Sequence, residues 1–544
     1  MKVLAVQLNP TIGDLSGNTK KVLEALDRAR EKKAEIVLFP ELTLSGYFPD
    51  DLLFDPSFIN ACSMHLEKIK PATRGLFVCV GLPRKNPDGI EKPLHNSVAV
   101  FADGKLLGYK NKTLLPTYDV FDERRYFEPG KEEPIWEYKG LKIAVTICED
   151  LWQHSDQVGY THYRIDPVQE LKSKKPDLVL NLSGSPYSFQ RKETRFLVFQ
   201  AAAKTLQCPL ILCNQVGAND QLIFDGHSFF INAKGDLIQV AKGFVEEDFL
   251  IELNAKTSFY QPQDDGIADL YDALVLGTRD YLHKQGFKKG MLGLSGGIDS
   301  ALVACIAKDA LGKENVLTLG LPSRFSSAGS IADAKVLTEK LGIEFQVISI
   351  DNIFQNYLDL LEPLFKNRLF DETEENLQSR IRGMVLMAFS NKFCRILLNA
   401  GNKSEMAMGY TTLYGDMAGG LGVLHDVTKL QIYKLAAHVN RNQEIIPQAI
   451  IDKTPSAELK ENQSDFDTLP PFETLDPIIE DYIEERLTPE EIIKKRKFPE
   501  NTVKEVVRKI HLSEYKRRQT PISLRVTQKA FNKGRYVPIV QKWK

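Results

Sequence analysis

The sequence lacks paired cysteines. Seven cysteines stand singly at positions 62, 79, 148, 208, 213, 305 and 394, and no two form a C-x-x-C pair. That excludes a zinc ribbon or a dithiol redox motif. Long apolar runs are also missing: no stretch reaches the about 18 residues that a membrane-spanning helix needs. The opening "MKVLAVQLNPTIGD" turns polar after Leu8, too soon for a secretory signal. With an odd number of thiols, the expected compartment is a reducing cytoplasm, with no membrane partner. There is no low-complexity stretch and no short internal repeat. Net charge is only −2, but it is unevenly spread. Residues 501–544 carry twelve Lys or Arg against two Glu. A solvated basic tail, a phosphate-rich small molecule and RNA are all open readings of that excess.

What is present reads as layered α/β structure. The length, 544 residues, allows several ordinary domains or fewer large ones, and a core too large to require a disulfide or metal staple. "KVLAVQL", "EIVLFPE", "FVCVGLP", "NSVAVF", "LKIAVTICED", "DLVLNLS" and "PLILCNQV" read as strands, and "NTKKVLEALDRAREKKA" as a helix that Asn18 can cap. Periodicity lapses around "LNAKTSFYQPQDDG". This places a first domain over 1–254, a linker over 255–266 and a second domain over 267–544. The second domain restarts with the helical "IADLYDALVLGTRDYLHKQG" and continues strand, glycine loop, helix, as in a doubly wound sheet.

Several strands of the first half end in reactive residues. "EIVLFPE" ends at Glu41, "LKIAVTIC" ends at Cys148, and Lys112 lies in a basic, loop-like segment. A lysine ammonium favours a neighbouring thiolate, and a carboxylate can take the thiol proton and return it to a leaving amine. Such a set can attack an amide carbon and release ammonia, with Lys112 and a backbone N–H near Cys148 holding the oxyanion. Each residue alone also fits inert packing or a surface charge. Together, "FPELTLSGY", "KTLLPTYDVFDERRYFEPG", "ICEDLW" and "NLSGSPY" resemble the nitrilase superfamily of amidases, in matching order. The resemblance implies an α-β-β-α sandwich, with Glu41 as base, Lys112 as oxyanion partner and Cys148 as nucleophile. For the branch that hydrolyses L-glutamine it implies substrate contacts at Tyr118, Glu149, Ser185 and Arg191, with Arg195 the alternative to Arg191. His154 has no metal-ligand spacing around it and reads as structural or surface.

In the second half, the stretch "MLGLSGGIDSALV" lies between a strand-like "GMLGL" and a helix-like "SALVACIAKDALG". Backbone N–H groups at a helix start bind anions, and Gly296 and Gly297 permit close approach. Ser295 and Ser300 add hydroxyls, and Asp299 suits a divalent cation. The lysine of a Walker A loop is absent, since Ile298 follows Gly297. The loop therefore suits a departing pyrophosphate better than a transferred phosphoryl group. "SGGIDS" resembles the N-type ATP pyrophosphatases, which adenylate a carboxylate or carbonyl before a nucleophile attacks. With "ENLQSRIRGMVLMAFSN", "NAGNKSEMAMGYTTLYGDMAGGLGVLHDVTKLQIYKLA", "KTPSAEL" and "EYKRRQTPISLRVTQKAFNKGRYVP" following, the chain resembles glutamine-dependent NAD synthetases over nearly its whole length.

That resemblance implies ATP contacts at Gly293, Leu294, Ser295, Gly296, Gly297, Ile298, Asp299, Ser300, Ala400, Lys429 and Ser456. It implies deamido-NAD contacts at Asn376, Arg380, Glu405 and Lys516, and Mg2+ at Asp299 and Glu405. Position 400 is often threonine in that family, so a contact at Ala400 must be through backbone or is lost. Arg380 and Arg382 share a face only on a strand and diverge on a helix. Asp416 is expected to order the site rather than react, and the polar segment 452–476 to serve as a lid. The implied partners are deamido-NAD, ATP and L-glutamine in a homo-oligomer, with an ammonia tunnel and without nucleic acid. An RNA-modifying or other acid-amidating ATP pyrophosphatase is the alternative reading.

Overall fold

The apolar runs of the first half form two six-stranded mixed sheets in a computed structural model of the chain. It describes every residue except 90, 155–162, 255–258, 262–265, 367 and 544. The chain divides into two compact units, Met1–Asp264 and Asp265–Lys544. The expected linker at 255–266 falls mostly outside the described residues.

In the first unit, one sheet runs in spatial order Glu247–Glu252, Lys2–Gln7, Ile36–Leu38, Phe77–Lys85, Leu94–Ala102, Lys105–Asn111. The other runs Leu237–Val240, Phe229–Ile231, Leu210–Asn214, Leu178–Ser183, Leu141–Ile147, Ile135–Tyr138. The central strands are parallel and the outer ones antiparallel. Alternate residues of each central strand face opposite sides. Val3, Ile36, Leu38 and Cys79 meet Val145, Leu180, Leu182 and Ile211 between the sheets. On the outer face of the first sheet, Leu4, Val37 and Val78 pack against Val22, Leu26 and Leu66 of the helices Leu15–Glu31 and Pro56–Ile69. On the outer face of the second, Val179 and Leu212 pack against Val168 and Phe199 of Pro167–Lys174 and Arg191–Leu206. The result is the α-β-β-α order. Burial on both faces explains why the central strands read as continuous apolar runs.

One cap differs from expectation. The first helix begins at Leu15, and Asp14 is its N-cap, accepting from the Gly17 N–H. Asn18 is instead buried inside the helix. Its side chain bonds the Thr11 backbone in both directions and donates to Leu44 O, fastening the helix start to the loop that follows Glu41.

The second unit is a five-stranded, wholly parallel sheet in the order Glu344–Val347, Val316–Gly320, Gly290–Gly293, Ile396–Asn399, Leu421–Gly422. Gly290–Gly293 comes first in the chain and lies in the middle, so the winding reverses beside it. In sheets of this kind ligands bind outside the carboxyl ends of the strands at that reversal. A helical layer of Phe472–Ile483, Pro489–Arg496 and Glu500–Leu512 packs through Leu475, Ile479, Ile492, Val503 and Ile510. The basic C-terminal segment is not a free arm. Arg517 is buried and donates to Met406 O and Ala407 O, and its guanidinium pairs with Glu514.

Candidate active sites

In the first unit the strand Leu141–Ile147 stops at a sharp turn and a 3-10 helix starts at Cys148. Cys148 itself has φ +39°, a left-handed backbone conformation uncommon for a side chain of its kind. The turn presents the thiol at the carboxyl end of a central strand. Glu41 reaches the same place from the loop after Ile36–Leu38. That loop lies directly on the neighbouring strand at Gly81, where a Cβ would stand 2.4 Å from Leu42 N, so only glycine fits there. Lys112 directly follows the strand Lys105–Asn111.

These elements enclose a buried charge cluster. Lys112 Nζ donates to Glu41 Oε1 at 2.7 Å and to Glu123 Oε1 at 2.6 Å. Asn96 Nδ2 donates to both carboxylates, Tyr47 OH to Glu123, and Gly184 N–H to Glu41 Oε2. Burial pulls against the Lys112 ammonium, but Glu123, Glu41 and Cys148 outweigh it and hold it charged, well above the usual lysine range. Burial pushes Glu123 up to about 7 in spite of Lys112, with Glu41 adding to the rise. The Cys148 thiol is raised by burial and by the Glu41 charge, and Lys112 acts the other way. A thiol here becomes a nucleophile only through the neighbouring cation and base.

Beyond the thiol, Glu149 is buried beneath two phenols, accepting from Tyr118 OH at 3.0 Å and from Tyr163 OH at 3.1 Å. Arg191 lies over the Trp152 ring at 4.9 Å, and its charge acts on Tyr118 and Glu149. Arg195, one turn further along the same helix, is differently engaged. It is buried and donates to both Asp225 oxygens, at 3.0 and 3.2 Å, and to Gly226 O. Burial works against the Asp225 carboxylate, yet Arg195 and His227 hold it at about 2. Asp225 also accepts from Asn214, whose Oδ1 takes the Ser185 N–H, so Arg195 supports the Ser185 turn from behind. The His154 side chain lies outside the described residues.

In the second unit a cavity of about 680 Å³ opens at the end of Gly290–Gly293. Of the residues expected at ATP and deamido-NAD, all but Gly296 and Arg380 line it. Gly296 instead lies against the Ser330 backbone: it has φ +82°, and a Cβ there would stand 2.4 Å from Ser330 O. Ser295 Oγ and Ser300 Oγ are 3.1 Å apart and tie the loop to the start of helix Ile298–Leu311. Arg380 and Arg382 fall on the helix Glu372–Phe393 and diverge. Arg380 donates to Leu413 O, and Arg382 lines the cavity and donates to Leu321 O. Asn376 accepts from Thr412 Oγ1, and Asp416 takes the Thr412 N–H and the Ser379 hydroxyl. Lys516 donates to Gly409 O and Thr411 O. The segment 453–468 borders the cavity. It is pinned by Glu458 on Lys453 and Ser330, and by Lys460 on Glu375. The expected lid at 452–476 is not one continuous loop, because helix Phe472–Ile483 already begins within it.

Asp299 pairs with Lys429 and accepts from Asn402 Nδ2 at 3.2 Å. Asn402 in turn caps the short helix that carries Glu405. Burial and the Asp299 charge push Glu405 up to about 8. Two neighbouring carboxylates fit a hard cation that takes one or two carboxylates and completes its shell with phosphate oxygens and water. Among the described residues no cluster of three or more metal-ligating side chains occurs.

Sequence reasoning missed Glu123, Asn96, Tyr47, Tyr163 and Gly81. Glu123 lies inside a quoted motif, eleven residues after Lys112, but nothing in the string distinguishes it from the exposed charges beside it. Only the fold reveals that it is fully buried.

The two units match two family models: carbon-nitrogen hydrolase over residues 2–253 and NAD synthase over residues 270–520. The chain thus joins an amide-hydrolysing class of unit to a nucleotide-loop synthase unit. A glutamine-dependent NAD(+) synthetase of Synechocystis sp. is 45% identical over 99% of this chain and 98% of its own length. One from Thermotoga maritima is 40% identical over 100% and 99%. The structure of the Acinetobacter baumannii glutamine-dependent NAD+ synthetase in complex with ADP is 38% identical, covers 100% of this chain and 99% of its own, and superposes with a TM-score of 0.78. The chain belongs to the glutamine-dependent NAD(+) synthetase family.

Proposed function

We propose that this chain makes NAD from deamido-NAD, using ATP and ammonia that it releases from L-glutamine, and yields AMP, pyrophosphate and glutamate. The observation that carries the reading is the Glu41–Lys112–Glu123 cluster at the Cys148 thiol, in one chain with the Ser295–Ser300 loop. In the first unit Glu41 takes the thiol proton and the Cys148 sulfur attacks the glutamine carboxamide carbon. Lys112 and backbone N–H groups balance the oxyanion. Glu41 returns the proton to the departing ammonia, and water, activated by the same carboxylate, cleaves the thioester. Tyr118, Glu149, Ser185 and Arg191 bind the amino-acid end of the substrate. Arg191 suits its α-carboxylate, since the Arg195 fork is already spent on Asp225.

In the second unit the nicotinate carboxylate of deamido-NAD attacks the α-phosphorus of ATP, and pyrophosphate leaves into the loop 295–300. Ammonia then attacks the nicotinoyl adenylate carbon and AMP departs. Gly293 to Ser300, Ala400, Lys429 and Ser456 serve ATP. Asn376, Glu405 and Lys516 serve deamido-NAD, and Arg382 replaces Arg380 in that role because it lines the cavity. Asp299 and Glu405 would hold Mg2+, which when bound neutralises phosphate charge. The relative solved with ADP supports an adenine nucleotide as a ligand of this chain. An RNA substrate is disfavoured, because buried Arg517 and cavity-lining Lys516 of the basic segment are engaged within the unit.

A cytoplasmic location is supported by seven unpaired cysteines, six of them buried. Among the described residues no helix is long and apolar enough to cross a membrane. A homo-oligomer is supported by exposed Leu360 and Leu364 on helix Asp351–Phe365 and exposed Met384 and Phe393 on Glu372–Phe393. The test is a product assay with Mg-ATP, deamido-NAD and glutamine. NAD, AMP, pyrophosphate and glutamate are expected, and ADP in place of AMP refutes adenylation. Cys148→Ala is expected to lose glutamine-driven synthesis and keep synthesis from added ammonium salt.

A further inference from the structure

We propose that Asp150 is a positioning residue of the glutaminase site, holding the segment that carries Lys112 against the turn that carries Cys148. The inference rests on the function proposed above for that site. Asp150 lies two residues beyond Cys148 and is 1% exposed. Its Oδ1 accepts from Thr113 N and Leu114 N, each at 2.9 Å. Its Oδ2 accepts from Ile147 N at 3.0 Å. Thr113 and Leu114 are the two residues after Lys112, and Ile147 is the residue before Cys148. One carboxylate therefore takes amide protons from the chain on the Lys112 side and from the chain on the Cys148 side.

The charge of Asp150 is balanced within the same enclosed space. Lys110 Nζ stands 3.5 Å from Asp150 Oδ2 and donates to Glu133 Oε1 and Thr113 Oγ1 at 2.6 Å each. Lys110 and Lys112 are two residues apart, yet they serve separate carboxylates. Lys112 faces Glu41 and Glu123, and Lys110 faces Glu133 and Asp150. The second network never meets the reacting atoms. Its effect on them runs through the three hydrogen bonds that Asp150 accepts from backbone N–H groups. Those bonds matter because Cys148 carries a positive φ, which the surrounding structure must hold in place. If the turn relaxes, the thiol moves relative to Lys112 and Glu41, and a displacement near 1 Å costs a reaction of this kind about 100-fold.

The experiment uses the full chain with Asp150→Asn, which keeps the shape but turns an amide N–H₂ toward a donor that an oxygen now accepts from. Glutamine hydrolysis is expected to lose about 100-fold in kcat with KM for glutamine little changed. Alkylation of Cys148 by iodoacetamide, followed by mass spectrometry of the Cys148 peptide, is expected to slow by a similar factor. NAD synthesis from ammonium salt is expected to stay near the parent rate. A purely structural role would lower the unfolding temperature and leave alkylation and kcat of the folded fraction alone. That result overturns the proposal, as does an alkylation rate within twofold of the parent. If Asp150→Asn does not fold, Asp150→Glu keeps the buried charge and displaces the carboxylate by one methylene. About tenfold slower alkylation is then expected, and an unchanged rate overturns the proposal. A parent protein without glutaminase activity would refute the function proposed for the site, whereas the alkylation rates judge Asp150 by themselves.

Discussion

Replacing Lys112 by methionine removes the cation of a buried cluster and leaves its carboxylates. In the parent, Lys112 is 1% exposed and holds Glu41 and Glu123 at 2.7 and 2.6 Å. Deleting one partner of such a buried pair costs about 3–5 kcal/mol when the other stays charged. Here the cluster can relieve itself with a proton, since Glu123 already sits up at about 7. The carboxylates of the variant will share a proton over a wider pH range. A folded-state carboxylate raised above its unfolded value keeps a proton that the unfolded chain has lost, so stability falls as pH rises through the window. In the parent the Glu123 contribution levels off above about pH 7. In the variant it continues, at about 1.4 kcal/mol per pH unit. The gap between the two proteins is therefore expected to widen by about 2–3 kcal/mol between pH 6.5 and 8.5. Denaturant melts at the two pH values measure it. The Cys148 thiol loses the lowering influence of the Lys112 charge, so iodoacetamide alkylation at neutral pH is expected to slow at least about tenfold, and glutamate release nearly to vanish. A gap independent of pH, together with an unchanged alkylation rate, would refute the argument.

Three further outcomes are expected. Asp299→Asn should fold and lose most NAD formation from either nitrogen source while glutamate release continues; near-normal synthesis would remove Asp299 from the mechanism. Arg191→Ala should raise KM for glutamine at least about tenfold with stability within about 0.5 kcal/mol of the parent, whereas Arg195→Ala should cost about 3–5 kcal/mol by stranding Asp225. Equal melting curves for the two variants would contradict the geometry. Gly296→Ala should weaken ATP binding in isothermal titration, because a left-handed residue with a side chain costs about 1–2 kcal/mol and its Cβ would collide with the Ser330 backbone.

The central strands were legible because burial on both faces writes an unbroken apolar run into the sequence. The strands Ile135–Tyr138 and Leu237–Val240 were not, being short edge strands of mixed polarity. Glu41, Lys112 and Cys148 stood at strand ends that the sequence marks, and the fold gathers Glu41 and Lys112 into one ion cluster whose charges act on Cys148. The choice between Arg191 and Arg195 was not legible. Four residues apart on one helix they share a face, and what separates them is Asp225, supplied by a distant strand. Arg380 and Arg382 show the opposite case: once the segment is a helix, spacing alone decides that only one can face the cavity. Asn18 misled because a polar residue at a helix start has the same appearance whether it caps the helix or ties it to a neighbouring loop.

The left-handed backbone at Cys148 sets stability and reactivity against each other at a single residue. Glycine is the side chain that this conformation favours, and glycine has no sulfur. Glycine would relieve the backbone there, but it would also empty a buried place in the core between the sheets, and with the thiol would go the glutamine chemistry proposed above. Under the function proposed above, access to glutamine as a nitrogen source offsets the conformational cost of carrying a side chain at that position.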